Sequence, residues 1–228
     1  MRNSDAETAT LTTEVFARLR EDILVGRFRP SQKLRLEELR GIYEVGFSPL
    51  REALMRLASE GLVTAQDRRG FRAAPMSNAD LAEITAARVD IEAIALADAL
   101  QHGDDAWEGE IVSSFYRLGK VSSLDAETGT VDPEWARRHH AFHLALIAAC
   151  RNRWIVRFWG ILYDQADRYR RIAVATVTEG RLGEHKQLME AALARDAEAL
   201  LRLSREHIMR TSTLVGPIVE SAAEQPKQ

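Results

Sequence analysis

Residues 48–54 read Ser48-Pro49-Leu50-Arg51-Glu52-Ala53-Leu54, and residues 68–73 read Arg68-Arg69-Gly70-Phe71-Arg72-Ala73. The first stretch opens a helix. Ser48 is expected as its N-cap and Pro49 as its first helical residue, where a missing N–H leaves no bond unmade. Leu50, Ala53, Leu54, Leu57 and Ala58 give that helix one apolar face, and Gly61 stops it. The second stretch belongs to a hairpin, with short segments around 62–64 and 71–73 on either side of the turn at Asp67–Gly70. Upstream, Val15, Phe16, Leu19, Ile23 and Leu24 share one face of a helix over 12–25, which Gly26 ends. Leu36, Leu39 and Ile42 mark a short second helix over 36–43. Three helices followed by a basic hairpin make a winged helix-turn-helix, expected over residues 1–75.

Beyond it the pattern changes. Residues 76–78 read as a linker, 79–217 as an all-α domain of six helices, and 218–228 as a flexible tail. The fold class is therefore mainly α, a winged helix-turn-helix plus an all-α helical bundle. The 228 residues are 46% hydrophobic and 29% charged, an ordinary globular composition. A single cysteine, Cys150, excludes an internal disulfide and any cysteine-rich zinc module. No apolar run approaches the ~18 residues of a transmembrane helix. The polar N-terminal stretch reads as neither signal peptide nor lipidation site, so a cytoplasmic protein without a membrane partner is expected. The formal charge of -3 is uneven: residues 27–72 hold ten bases against six acids, and residues 76–228 hold 18 against 23. A basic N-terminal part on an acidic body points to nucleic acid.

The docking elements carry those charges. The helix start at Ser48, with its free N–H groups, suits a phosphate. Arg51, in the first turns, can reach a guanine edge, and Arg56, further along, would meet phosphate. Arg69 and Gly70 sit at the wing tip, where glycine permits close approach to a groove. In the second domain, His139 and His143 are four apart and share a helix face, a two-ligand unit for a divalent ion. His140 points about 100° away from them. A metal-dependent hydrolase using this pair is the alternative reading, but His140 stands where the metalloprotease pattern has its glutamate. A TetR-like helical repressor is a second alternative, which the wing argues against.

The segments LREDILVGRFRP, KLRLEELRGIYEVGFSPLREALMRLASEGLV and RRGFRAA together resemble the GntR family of bacterial transcription regulators over residues 12–75. The resemblance implies DNA contacts by Arg51 and by Arg69-Gly70, and Arg35 falls within the matching stretch. Phe47 stands where many members have an arginine. Residues 79–214 resemble the FCD effector domain of the FadR-type subfamily through Arg88-x3-Glu92, Phe142-His143, Asn152, Glu184-His185 and His207. That resemblance implies a metal site of one carboxylate and three histidines, which map to His143, His185 and His207. His139 occupies the position of the usual aspartate. A four-histidine set favours zinc, with nickel or iron(II) as alternatives. The expected partners are a palindromic double-stranded DNA operator, a small carboxylate effector and a second copy in a homodimer. Arg88 is the candidate for the effector carboxylate, because arginine binds carboxylates bidentately. In DQADRYRRI (164–172), where only some side chains can face inward, Arg168 and Tyr169 join the effector set and Arg170 is a further candidate. A ligand-responsive regulator, a repressor rather than an enzyme, is the resulting expectation.

Overall fold

The computed structural model describes residues 2–66, 69–172 and 181–224. Arg68 of the expected wing tip lies outside them. The chain forms two compact units, residues 1–77 and 78–228. Among the described residues are nine helices and three strands.

In the first unit, α1 (Arg2–Leu24) is followed by β1 (Lys33–Leu34), α2 (Leu36–Tyr43), α3 (Phe47–Ser59), β2 (Val63–Gln66) and β3 (Gly70–Ala73). Val15, Leu19 and Ile23 of α1 pack against Leu50, Leu54 and Leu57 of α3 in one core, with Leu39 and Tyr43 from α2. Tyr43 Oη donates to Asp22 Oδ2 at 2.5 Å, which ties α2 to α1. The chain leaves α3 through Gly61 at φ +75°, a left-handed conformation that glycine adopts without Cβ strain. β2 and β3 form the antiparallel wing, with Val63 opposite Ala73 and Gln66 opposite Gly70. β1 adds to the outer side of β3, a pairing of two residues that periodicity could not reveal.

The start of α3 corrects the sequence reading. Its N-cap is Gly46, in extended conformation, and no side chain caps the helix. Phe47 is already helical, so Ser48 and Pro49 are the second and third residues of the first turn. Pro49 is tolerated there because that N–H has no intrahelical acceptor. α1 also starts ten residues earlier than the apolar pattern, in a polar stretch without glycine or proline.

The second unit contains α4 (Asn78–His102), α5 (Asp105–Leu118), α6 (Pro133–Ile147), α7 (Arg153–Ile172), α8 (Arg181–Leu193) and α9 (Ala197–Glu224). Two helices start alike. The Asp104 carboxylate accepts from Trp107 N and the Asp132 carboxylate from Trp135 N, each at 2.9 Å, which satisfies an orphan donor of the first turn. α5 ends at Leu118, before Gly119, and a loop closed by an isolated Leu124–Val131 bridge follows. α9 continues through 218–224, beyond the expected domain boundary. α4 and α7 run antiparallel: Asp98 accepts from Arg151 N, Glu92 from Trp159 Nε1, and Asp80 from Tyr169 Oη. Their core includes Leu96, Trp107, Ile111, Phe142, Leu146, Trp159 and Leu188. Trp107, Trp135 and Trp159 are core residues, whereas Trp154 is half exposed. No helix among the described residues is long and apolar enough to cross a membrane.

Candidate functional site

On the first unit, the face of α3 away from the core exposes Ser48, Arg51, Met55 and Arg56. Arg51 has no ion-pair partner among the described residues, so its guanidinium is available to a ligand. Arg56 lies over the ring of Phe16 at 4.1 Å, which sets its direction. Arg35 precedes α2 and pairs with Glu38 at 2.8 Å; both are exposed, so the pair adds little stability. Arg69 and Gly70 are exposed at the wing, with Gly70 at φ +84°. The structure thus gathers Ser48, Arg51 and Arg56 on one helix, Arg69 and Gly70 on the hairpin, and Arg35 at the start of α2.

In the second unit, four histidines from three helices converge. His139 and His143 project from α6, His185 from α8 and His207 from α9, all buried. One ring nitrogen of each lies within 4.8 Å of those of the others. His139 Nε2 and His143 Nε2 are 3.3 Å apart, a separation that two ligands at ~2.0–2.1 Å from one ion would have. Burial, then the Arg170 charge, holds His139 well below the ordinary imidazole value; burial, then His207, does the same to His143. Both rings are therefore neutral near pH 7, and a neutral imidazole is the form that binds a metal.

The outer nitrogens of these rings meet groups that orient them. His207 Nδ1 lies 2.9 Å from Glu184 Oε2, and His143 Nδ1 lies 3.9 Å from Glu92 Oε1. A carboxylate at hydrogen-bond distance, as Glu184 is, fixes the tautomer of a ligating histidine, whereas 3.9 Å is too long and His143 Nδ1 has no hydrogen-bond partner among the described residues. His139 stacks on Trp135 and has Tyr163 Oη at 2.6 Å from its Nδ1, with Arg170 Nη1 at 3.2 Å. An ion on His139 Nε2 would require Nδ1–H, which then donates to Tyr163 Oη. The donor set fits a borderline divalent ion.

Beside the histidines is a cavity of about 10 Å³, room for one water-sized species, lined by Arg88, His139, Tyr163, Asp167, Arg170, His207 and Thr211. Arg88 is only 7% exposed. Its Nε is 3.4 Å from Glu92 Oε2, close enough for charge pairing but not aligned as a hydrogen bond. Among the described residues neither Nε nor Nη2 of Arg88 has a hydrogen-bond partner, and its guanidinium lies over the Tyr163 ring at 5.0 Å. Burial would push Asp167 up, but the charges of Arg170 and Arg171 outweigh it and hold its carboxyl at about 2.

Two of the expected effector residues are elsewhere. Tyr169 Oη donates to Asp80 Oδ2 at 2.6 Å, and Arg168 Nη1 donates to Gln165 Oε1 at 3.2 Å. Neither lines the histidine cavity. Helix phase is the reason: Tyr163, Asp167 and Arg170 are spaced i, i+4, i+7 and face the histidines, and the two residues between the last pair turn away. Tyr163 and Asp167 were missed by sequence reading; that spacing was their only signal. Glu92, named above only within the Arg88-x3-Glu92 resemblance, also accepts from Ser204 Oγ at 3.1 Å and lies 3.9 Å from His143 Nδ1.

A winged helix-turn-helix joined to a helical domain with a buried polar pocket defines a DNA-binding transcription regulator with its own ligand domain. The chain belongs to the gntR family of bacterial regulatory proteins, whose pattern covers residues 11–72, and it carries an FCD domain over residues 83–210. It is 40% identical to the HTH-type transcriptional regulator BphR of Paraburkholderia xenovorans (strain LB400), covering 92% of this chain and 87% of that protein. It is 37% identical to the HTH-type transcriptional repressor GlaR of Escherichia coli (strain K12), covering 90% and 93%. In fold it is similar to E. coli McbR/YncC, with a TM-score of 0.76 at 19% identity over 94% of this chain and 99% of that one. A GntR regulator structure from Rhodococcus sp. RHA1 gives a TM-score of 0.71 at 19% identity, covering 90% and 96%. The chain is a transcription regulator, not an enzyme, which sets aside the hydrolase reading. The wing sets aside the TetR-like one.

Proposed function

We propose that the chain is a cytoplasmic repressor that leaves a palindromic operator when a small carboxylate binds among the buried histidines. The observation that carries this reading is Arg88, a buried guanidinium with two N–H groups lacking hydrogen bonds, lining the same cavity as His139 and His207. Glu92 balances its charge at 3.4 Å but leaves those donors without an aligned acceptor, and a bound carboxylate would supply one. His139, His143, His185 and His207 would hold the ion, zinc first, with nickel or iron(II) as alternatives. Held by four imidazoles, an octahedral ion would keep two positions and supply a Lewis-acidic anchor for a carboxylate oxygen, whereas a tetrahedral one would have none open. Arg88 binds the carboxylate beside that anchor, and Tyr163 and Thr211 limit its size and approach. A cavity of about 10 Å³ does not admit a carboxylate, so the effector has to spread the helices around it. Effector and DNA then affect each other's affinity by the same factor.

The test is a thermal-shift screen of small carboxylates on metal-replete and chelator-treated protein, followed by operator binding with each hit. Stabilisation follows occupancy of the folded state. One acid is expected to raise the melting temperature only with metal present and to weaken operator binding. Arg88→Gln is expected to lose that response while binding the operator normally. Shifts that ignore both the metal and Arg88 would remove the model.

The homodimer is built, in this reading, on the outer face of α4 and α7. Ile94, Trp154 and Phe158 are about half exposed there. Arg153 and Arg157 lie over Trp154 at 5.4 and 5.6 Å, and Trp with Arg is the composition of interface hot spots. Exposed Arg157 and Asp90 have no ion-pair partner among the described residues. Changing Trp154→Glu and Phe158→Glu together is expected to give monomers in sedimentation at micromolar concentration. A wild-type monomer under the same conditions would contradict the interface.

A further inference from the structure

Phe47, Arg51 and Met55 are spaced i, i+4, i+8 and form one row along the exposed side of α3. Phe47 is 38% exposed and Met55 53%. Two large apolar side chains therefore flank the one arginine of the row. The guanidinium of Arg40, on α2, lies over the Phe47 ring at 5.1 Å and holds it at the start of the helix. Neither side chain can read a hydrogen-bonding base edge, since the Phe47 ring has no polar atom and the Met55 thioether accepts only weakly. In the major groove the apolar group on a base edge is the 5-methyl of thymine, and the second helix of a helix-turn-helix presents its N-terminal residues to that groove.

We propose that Phe47 and Met55 are specificity-determining residues that contact thymine methyl groups on either side of the base reached by Arg51. The inference rests on the reading that this face of α3 enters the major groove. It also gives the aromatic residue a role at the helix start, where a cation would select guanine. An operator half-site would then combine a guanine with flanking thymines.

The experiment begins with selection of duplexes from a random pool by wild-type protein. Each thymine of the enriched sequence is then replaced by uracil, which deletes the 5-methyl and leaves every hydrogen-bonding edge intact. Wild-type affinity is expected to fall about three- to fourfold per methyl at two thymines of each half-site, the scale of one buried CH₂ or CH₃ group. Phe47→Ala should bind the thymine and uracil duplexes equally at one of those positions, and Met55→Ala at the other. The thymine-to-uracil ratio is read within each protein, so changes in active fraction cancel. A purely structural role for Phe47, bracing the α2–α3 turn with Arg40, would lower the melting temperature and leave the ratio unchanged. That result overturns the inference, as does sequence-selective binding that ignores uracil at every position. If no duplex is enriched, the groove-facing reading of α3 fails as well.

Discussion

His143→Ala is expected to abolish the stoichiometric metal proposed for protein purified without added metal or chelator, with affinity reduced at least ~100-fold. Loss of an outer-shell partner alone costs about 10–100-fold, and His143 would be a direct ligand. Its neighbours make the loss hard to repair. His139, His185 and His207 surround the same point, and no carboxylate stands among the four ligand atoms to substitute. His102→Ala is the control, since that ring is partly exposed and hydrogen-bonds within its own helix to Asp98 O at 2.9 Å. Metal analysis of both variants decides the matter: full metal content in His143→Ala would remove the four-histidine site. Acid has a related effect on the metal-free protein. His139 and His143 are held well below their ordinary value of 6.5, burial being the largest cause. The unfolded chain therefore takes up protons near pH 6.5 while the folded chain does not. The stability tied to these two neutral rings is complete above that pH and is lost as pH falls below it, by up to about 1.4 kcal/mol per unit for each ring. Chemical denaturation of chelator-treated protein between pH 7.5 and 5.5 measures it, and bound metal shifts the loss to lower pH.

The two ends of the molecule were not equally legible. The first unit could be read because its core is periodic: Val15, Leu19 and Ile23 meet Leu50, Leu54 and Leu57, and glycine ends the helices that carry them. What periodicity could not give was structure without an apolar stripe. The polar start of α1 and the two-residue β1, which exists only by pairing with β3, fall in that class. The same limit explains the effector residues. Asp167, Arg168, Tyr169 and Arg170 are all buried, so the C-terminal half of α7 is enclosed on every side. A helix buried all round has no polar face to set its phase, and the sequence alone could not separate Arg170 from Arg168. The histidines were legible in part. The i, i+4 spacing placed His139 and His143 together, whereas His185 and His207 came from family resemblance. Their convergence depends on how α6, α8 and α9 pack. Glu92, beside them on α4, entered only through the Arg88-x3-Glu92 resemblance, and Tyr163 on α7 had no signal beyond its i, i+4, i+7 spacing with Asp167 and Arg170.

Arg51→Ala is expected to remove sequence-specific operator binding while leaving the fold intact. A good bidentate contact to guanine is worth about 1–3 kcal/mol, and the proposed two-fold dimer would make it twice, so the expected loss is about 2–6 kcal/mol. The side chain is exposed on α3 and has no ion-pair partner among the described residues, which keeps the stability change within about 0.5 kcal/mol. Arg69→Ala at the wing separates reading from holding. A phosphate contact carries no sequence information, so its loss weakens all duplexes alike and lowers the salt slope by about 1. Arg51→Ala instead flattens the difference between operator and random DNA, with a smaller change in that slope. Titrations of both variants on both duplexes at several salt concentrations give the two quantities. If Arg51→Ala keeps the wild-type ratio of specific to non-specific affinity, α3 does not read bases through this arginine. The row from Phe47 to Met55 then loses its centre, and recognition would have to move to the wing or to DNA shape.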